Sequence, residues 1–210
     1  MISKGRASIG CLFVDIGGVL LSDGWNHISR AKAVETFGMD RDRFEIRHRA
    51  AFATYEEGKL SLSEYLDYAV FDQSRSFTRE EFQAFMSAQS TPFPRMIELV
   101  RKLKADHGLK VFAVSNEARE LNAFRIQKFE LATVIDTFVS SCFIRMRKPD
   151  PDMFRLALDL SQVPAEETIY IENTAMFVEI AESLGIRSIL HTDFDSTCAK
   201  LATFGLSAAP

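Results

Sequence analysis

Three short apolar runs in this chain each end in residues able to do polar chemistry, and a lysine stands between the second and third of them. The first run, GCLFV at 10–14, leads into Asp15 and the pair Gly17 and Gly18. A carboxylate at the C-terminal end of a buried strand is placed to attack an electrophile, to ligate a cation, or to cap a following helix. Two glycines just beyond it let the backbone turn sharply and approach a ligand closely. The second run, VFAV at 111–114, ends in Ser115 and Asn116. A hydroxyl and free backbone N–H groups there suit a phosphate, and a plain helix cap is the competing role. Lys148, in RMRKPDPDMF, precedes Pro149, which biases its backbone to extended geometry. Its ammonium could neutralise a phosphate or a nucleophilic carboxylate, or lie solvated on the surface. The third run, TIYI at 168–171, ends in Glu172 and Asn173. Both are oxygen donors of the kind Mg2+ prefers, with N-capping by Asn173 as the alternative.

The elements that must position these residues follow from periodicity. Further apolar, β-branched runs lie at 134–139 and 186–190. Between the later runs the spacing turns helical: Met96, Leu99, Val100 and Leu103 share one face, as do Phe177, Ile180, Ala181 and Leu184. Gly108 and Gly185 stand where helices end, and Asp150-Pro151 reads as a cap followed by proline at the first helical position. Strand and helix in alternation imply an α/β fold with a parallel sheet covered on both faces. Residues 23–91 break this rhythm. They hold no strand pattern but two capping boxes, Ser61 with Glu64 and Thr78 with Glu81, and apolar helical faces at Leu62, Tyr65, Leu66, Ala69 and at Phe82, Phe85, Met86. About four helices are therefore inserted after the first strand, which divides the chain into a core of 1–22 and 92–210 and a helical cap of 23–91.

Composition narrows the partners. Against 29 acidic residues stand 25 basic ones, a net charge of −4, which disfavours nucleic acid and anionic membranes. The 18 phenylalanines are ample for a sizeable core. Asp15 interrupts the N-terminal apolar run, so neither a signal peptide nor a membrane span is expected. Cys11, Cys142 and Cys198 are odd in number and widely spaced, and read as reduced thiols of a cytoplasmic protein.

Taken together and in order, DIGGV with Asp15, SNE with Ser115, RKPD with Lys148 and IENT with Glu172 and Asn173 resemble the four motifs of the haloacid dehalogenase-like (HAD) superfamily. The likeness extends to FVSS before the lysine and AESLGI after the fourth motif, covering roughly 1–22 and 92–192. It implies a Rossmann-like core of strand order 3-2-1-4-5 and a Mg2+-dependent phosphatase acting on a small phosphorylated metabolite. Asp15 would be the nucleophile, ionised at its ordinary pKa of about 3.9 without further help. Ser115 and the Asn116 amide would hold the phosphoryl oxygens beside the turn at Gly17 and Gly18. Lys148 would offset transition-state charge, and the metal would be held by Asp15, the Gly17 carbonyl, and Glu172 or Asn173.

Two departures from the family pattern bear on activity. Gly17 replaces the aspartate that protonates the leaving oxygen, help generally worth about 10²–10⁴-fold. The paired acids of the fourth motif have become Glu172 and the neutral Asn173. A slow phosphatase, or a catalytically weak scaffold with a binding or regulatory role, would both fit. Dehalogenation fits less well, because that branch carries an aromatic residue at the place of Gly17. Arg145 stands where the family often has glycine. In the cap, Tyr55, Glu56 and Lys59 are candidates for substrate contact, Arg47, His48 and Arg49 form a small basic cluster, and Trp25 is expected to pack. His48 is a remote stand-in for the missing acid, and His27, His107 and His191 lack metal spacing.

Overall fold

The computed structural model describes residues 8–207, so the outermost seven and three residues of the assigned core lie outside it. Five parallel strands, β1 (Cys11–Val14), β2 (Lys110–Ser115), β3 (Thr137–Ser140), β4 (Thr168–Glu172) and β5 (Arg187–Leu190), form one sheet in the order β3-β2-β1-β4-β5. The expected strand order is thus observed. All four β1 residues are fully buried, because a central parallel strand is covered on both faces. Alternation sends Leu12 and Val14 to one face, with Val100 and Leu103 of helix α5 (Pro94–His107), and Cys11 and Phe13 to the other, with Phe154 and Ala157 of a helix introduced below.

Between β1 and α5 run four helices: α1 (His27–Phe37), α2 (Arg41–Glu56), α3 (Leu62–Ala69) and α4 (Arg79–Ala88). Both capping boxes form as read, with Ser61 and Thr78 each accepting from the backbone three residues on. These helices pack in an apolar cluster around Trp25, Phe44, Tyr65 and Phe82 that also takes in Ala118 and Leu121. Trp25 packs edge-on against Phe82 at 5.7 Å and donates its indole N–H to the Tyr65 hydroxyl at 2.9 Å. The helical segment leaves and rejoins the sheet side by side: Ser22 N–H donates to the Thr91 carbonyl, and Leu21 bridges Pro92.

After β2 come α6 (Arg119–Lys128), a short α7 (Ser141–Ile144) directly behind β3, α8 (Asp152–Ser161), α9 (Ala175–Ser183) and α10 (Phe194–Thr203). Two boundaries differ from the sequence reading. β3 begins at Thr137, not 134, because Asp136 turns its carboxylate back onto the Val111 N–H while Val134 and Ile135 bury in the core as a turn. The proline at 151 precedes α8, and Asp150 instead accepts from the Asp152 N–H at 2.9 Å.

One glycine fastens the helical segment to the sheet. Gly58 has φ 64°, and a Cβ there would lie 2.2 Å from the Cys142 carbonyl oxygen. Gly58→Ala therefore meets both left-handed strain of about 1–2 kcal/mol and a backbone clash. We expect the melting temperature to fall by about 4 °C or more, followed by circular dichroism. An unchanged melting temperature would mean that the two backbones do not approach closely.

Candidate active site

The C-terminal ends of β1, β2 and β4 open into one cleft of about 340 Å³, where open parallel sheets place their ligands. Its floor holds Asp15, Gly17, Ser115, Asn116 and Asn173, and the helical segment supplies Trp25, Arg30, Phe52, Tyr55 and Glu56. Parallel pairing brings the strand ends together, with Val14 beside Ala113 and beside Ile171, so Asp15, Ser115 and Asn173, one or two residues further along, converge.

Lys148 is 1% exposed and reaches the Asp15 Oδ2 at 3.2 Å, the Glu172 Oε2 at 2.6 Å and the Tyr170 hydroxyl at 2.9 Å. Burial opposes its charge, but the two carboxylates outweigh burial and hold the ammonium above its usual pKa. Asn116 fixes the lysine from behind: its side chain accepts from the Lys148 N–H at 2.8 Å and donates to the Lys148 carbonyl at 2.9 Å. The Asn116 side chain is thus spent on Lys148. Ser115 is buried, its Oγ 3.4 Å from the Ile16 N–H that also donates to Asp15 Oδ1 at 2.8 Å.

Asp15 is not the freely ionised aspartate expected from its ordinary pKa. Burial pushes its carboxyl up to about 7, with the Lys148 charge opposing and the Glu172 charge adding to the rise.

Glu172 is placed otherwise than expected. It is fully buried and does not line the cleft. One oxygen accepts from Lys148 and from the Tyr170 hydroxyl, and the other from the Thr174 N–H at 2.9 Å. With both oxygens hydrogen-bonded, it anchors the lysine from behind the cleft floor. Its neighbour Asn173 faces the cleft. Gly18 has φ 73°, and a Cβ there would lie 1.9 Å from the Asn173 amide nitrogen and 2.8 Å from Asp23 Oδ1, so the left-handed backbone and the close approach both favour glycine. Gly17 adopts no such conformation, and a Cβ there would meet Asp23 at ordinary contact distances.

The cap candidates divide. Tyr55 and Glu56 line the cleft, and Arg147 pairs with Glu56 at 2.7 Å. Burial holds the Glu56 carboxyl up at about 7 against Arg147. Lys59 instead pairs with Glu57 on the surface at 2.7 Å. Arg47 turns to Asp72 and Arg49 to the Glu45 carbonyl, both on a solvated helix face. His48 is buried against Tyr65, bonded at 2.8 Å, and burial drops its pKa to about 4, so it is neutral and outside the cleft. Trp25 packs, as expected, and also borders the cleft. Arg145 is exposed at φ 59°, the left-handed turn that glycine would adopt without strain. No cluster of three His, Cys, Asp or Glu side chains suited to a metal occurs among the described residues.

Sequence reasoning did not find Asp23, Glu117, Arg125, Arg147, Tyr170 or Phe177. Arg125 and Glu117 form a buried ion pair on the cleft wall. Tyr170 did carry a signal: two residues before Glu172 on a strand, it shares that residue's face.

The match to known proteins follows the same geometry. Residues 9–185 fit the haloacid dehalogenase-like hydrolase family. The chain belongs to that family. Among relatives, the HAD-like chain is 28% identical over 192 residues to sesquiterpene phosphatase astK of Aspergillus oryzae, covering 89% of this chain and 92% of that one. It is 25% identical over 207 residues to drimenol cyclase drtB of Aspergillus calidoustus, covering 95% of this chain but only 37% of the cyclase. In fold it resembles the HAD family enzyme bt-2542 of Bacteroides thetaiotaomicron, with a TM-score of 0.75, 19% identity, and coverage of 87% and 93%. As a HAD-like hydrolase the chain is an enzyme, and no helix among its described residues is long and apolar enough to cross a membrane.

Proposed function

We propose that this HAD-like hydrolase is a phosphatase of small phosphorylated metabolites that works through an aspartyl-phosphate on Asp15. One observation carries the reading: a carboxylate on the floor of the cleft, beside Ser115, is backed at 3.2 Å by a buried ammonium. An Asp15 oxygen attacks phosphorus and the ester oxygen departs. Lys148 draws off the charge that gathers on the phosphoryl group, and Ser115 with the Asn116 backbone N–H orients its oxygens. Water then opens the acyl phosphate and returns Asp15. The helices of residues 23–91 act as the cap, and Trp25, Phe52, Tyr55 and Phe177 give the substrate an apolar wall. A relative named as a sesquiterpene phosphatase accords with such a wall. The test is phosphate release from p-nitrophenyl phosphate and a panel of small phosphomonoesters with Mg2+. Turnover no higher than that of an Asp15→Asn control would sink the proposal. Three free cysteines support a cytoplasmic setting.

Asp15, Gly17 and Asn173 all line the cleft and offer oxygen donors, a set that fits Mg2+ but carries a single full charge. The bound cation would supply positive charge against the phosphoryl oxygens. A HAD neighbour solved as a complex with magnesium and inorganic phosphate agrees with that chemistry. Asn173→Asp restores a charged donor and should lower the half-saturating Mg2+ about tenfold in a metal titration of activity. No change would remove Asn173 from the metal set.

A weakly catalytic scaffold with a binding or regulatory role is the second reading, favoured by the neutral Gly17 and Asn173. Phosphate bound tightly without hydrolysis of any ester would decide for it.

A further inference from the structure

Phosphoester cleavage with a poor leaving group needs a proton for the departing oxygen, and Gly17 has none to give. The cleft has four carboxylates among the described residues. Asp15 is held by Lys148, Glu56 by Arg147 and Glu117 by Arg125. Asp23 alone has no cation within ion-pair distance; its Oδ2 accepts from the Asn26 amide at 3.2 Å and its Oδ1 from the Asn173 amide at 3.5 Å. Its position is specific as well. A Cβ built on Gly17 would lie 3.7 Å from Asp23 Oδ1 and 3.6 Å from Asp23 Cα. The Asp23 carboxylate therefore lies against the space into which a side chain at 17, two residues from Asp15, would project. Gly24, at φ 69°, sets the turn that brings Asp23 back over the cleft, and the buried Trp25 fixes the chain just after it.

Resting on the phosphatase reading above, we infer that Asp23 is the general acid of this enzyme, supplied from the start of the cap in place of the missing side chain at 17. As an Asp15 oxygen bonds to phosphorus and the ester bond breaks, the Asp23 carboxyl proton passes to the ester oxygen, and a neutral alcohol leaves. The Asp23 carboxylate then takes a proton from the water that attacks the phosphorus of the acyl phosphate. That step frees phosphate and Asp15 and restores the acid, so protons balance over the cycle.

The test compares kcat/KM for an alkyl phosphate and for p-nitrophenyl phosphate, because this ratio reports only steps through departure of the leaving group. Asp23→Asn should lower the alkyl value about 10²-fold or more beyond any loss on p-nitrophenyl phosphate, whose leaving group needs little protonation. Adding Gly17→Asp to Asp23→Asn should recover at least about a tenth of the parent's alkyl activity, since it returns a carboxyl next to the position that Asp23 held. Equal losses on both substrates, or losses cured by raising Mg2+, would overturn the assignment in favour of packing or metal ligation. So would the failure of Gly17→Asp to rescue a soluble double variant. If the parent itself turns over neither ester above Asp15→Asn, the phosphatase reading falls and this assignment with it. If the parent turns over both and Asp23→Asn is silent, only the assignment of Asp23 falls.

Discussion

Asp15→Asn should abolish phosphate release, lowering kcat by about 10⁴-fold or more while leaving the fold intact. The substitution keeps the shape and one acceptor: the side-chain oxygen can still accept from the Ile16 N–H, which lies 2.8 Å from Asp15 Oδ1, while an amide in place of Oδ2 no longer accepts from Lys148. It removes the anionic oxygen that would bond to phosphorus and, with it, the ion pair to Lys148. It also deletes a buried charge that burial holds up at about 7, so the variant avoids the cost of ionising that group. That sign makes the experiment informative. Carboxyls whose pKa is raised by folding cost stability as pH climbs through the raised value, so near pH 8 Asp15→Asn should be at least as stable as the parent. Lys148 would still have Glu172 at 2.6 Å. Steady-state kinetics beside a urea titration check both halves. Retained turnover would remove Asp15 as nucleophile, and a large loss of stability would mean that the carboxylate chiefly holds the sheet ends together.

How much of this site could be read from the chain depends on what brings each residue in. Asp15 and Asn173 follow buried strands directly and Ser115 ends one, and a parallel sheet delivers all such ends to one edge, so apolar runs sufficed to find them. Glu172 and Asn173 show where that signal stops. Adjacent residues at a strand end point to opposite sides, and spacing alone did not say which faced the cleft; Tyr170, on the Glu172 face, was the overlooked cue. Arg125 and Glu117 were invisible for another reason. Arg125 meets the Ser22 carbonyl across 103 positions of sequence, a contact that no local pattern encodes. The basic run at 47–49 could not be settled by pattern, because a charged helix face looks the same whether it meets a ligand or water. The helical insert itself was legible, since its capping boxes are local hydrogen-bond motifs.

The largest combined effect belongs to Lys148. Among the described residues its ammonium is the one cation that touches both Asp15 and Glu172, and it also hydrogen-bonds Tyr170 and lies 5.0 Å from the Phe177 ring. Lys148→Met keeps the stem and removes the charge. Activity should fall about 10³-fold, because nothing then draws charge from the phosphoryl group as it transfers. Stability should fall too, by about 3–5 kcal/mol at pH 8, since two buried carboxylates would face each other without a cation. The pH dependence separates this cause from lost packing. Lys148 is the cation that opposes the burial-driven rise of the Asp15 pKa, so its removal sends that pKa above about 7. The folded variant then binds a proton that the unfolded chain gives up, and its stability is greatest at low pH and lost as pH rises. Urea titrations at pH 5 and pH 8 should therefore show the deficit shrinking at the lower value. A deficit of the same size at both would assign the loss to packing of the lysine stem, and Lys148 would no longer be the charge that makes Asp15 usable as a nucleophile.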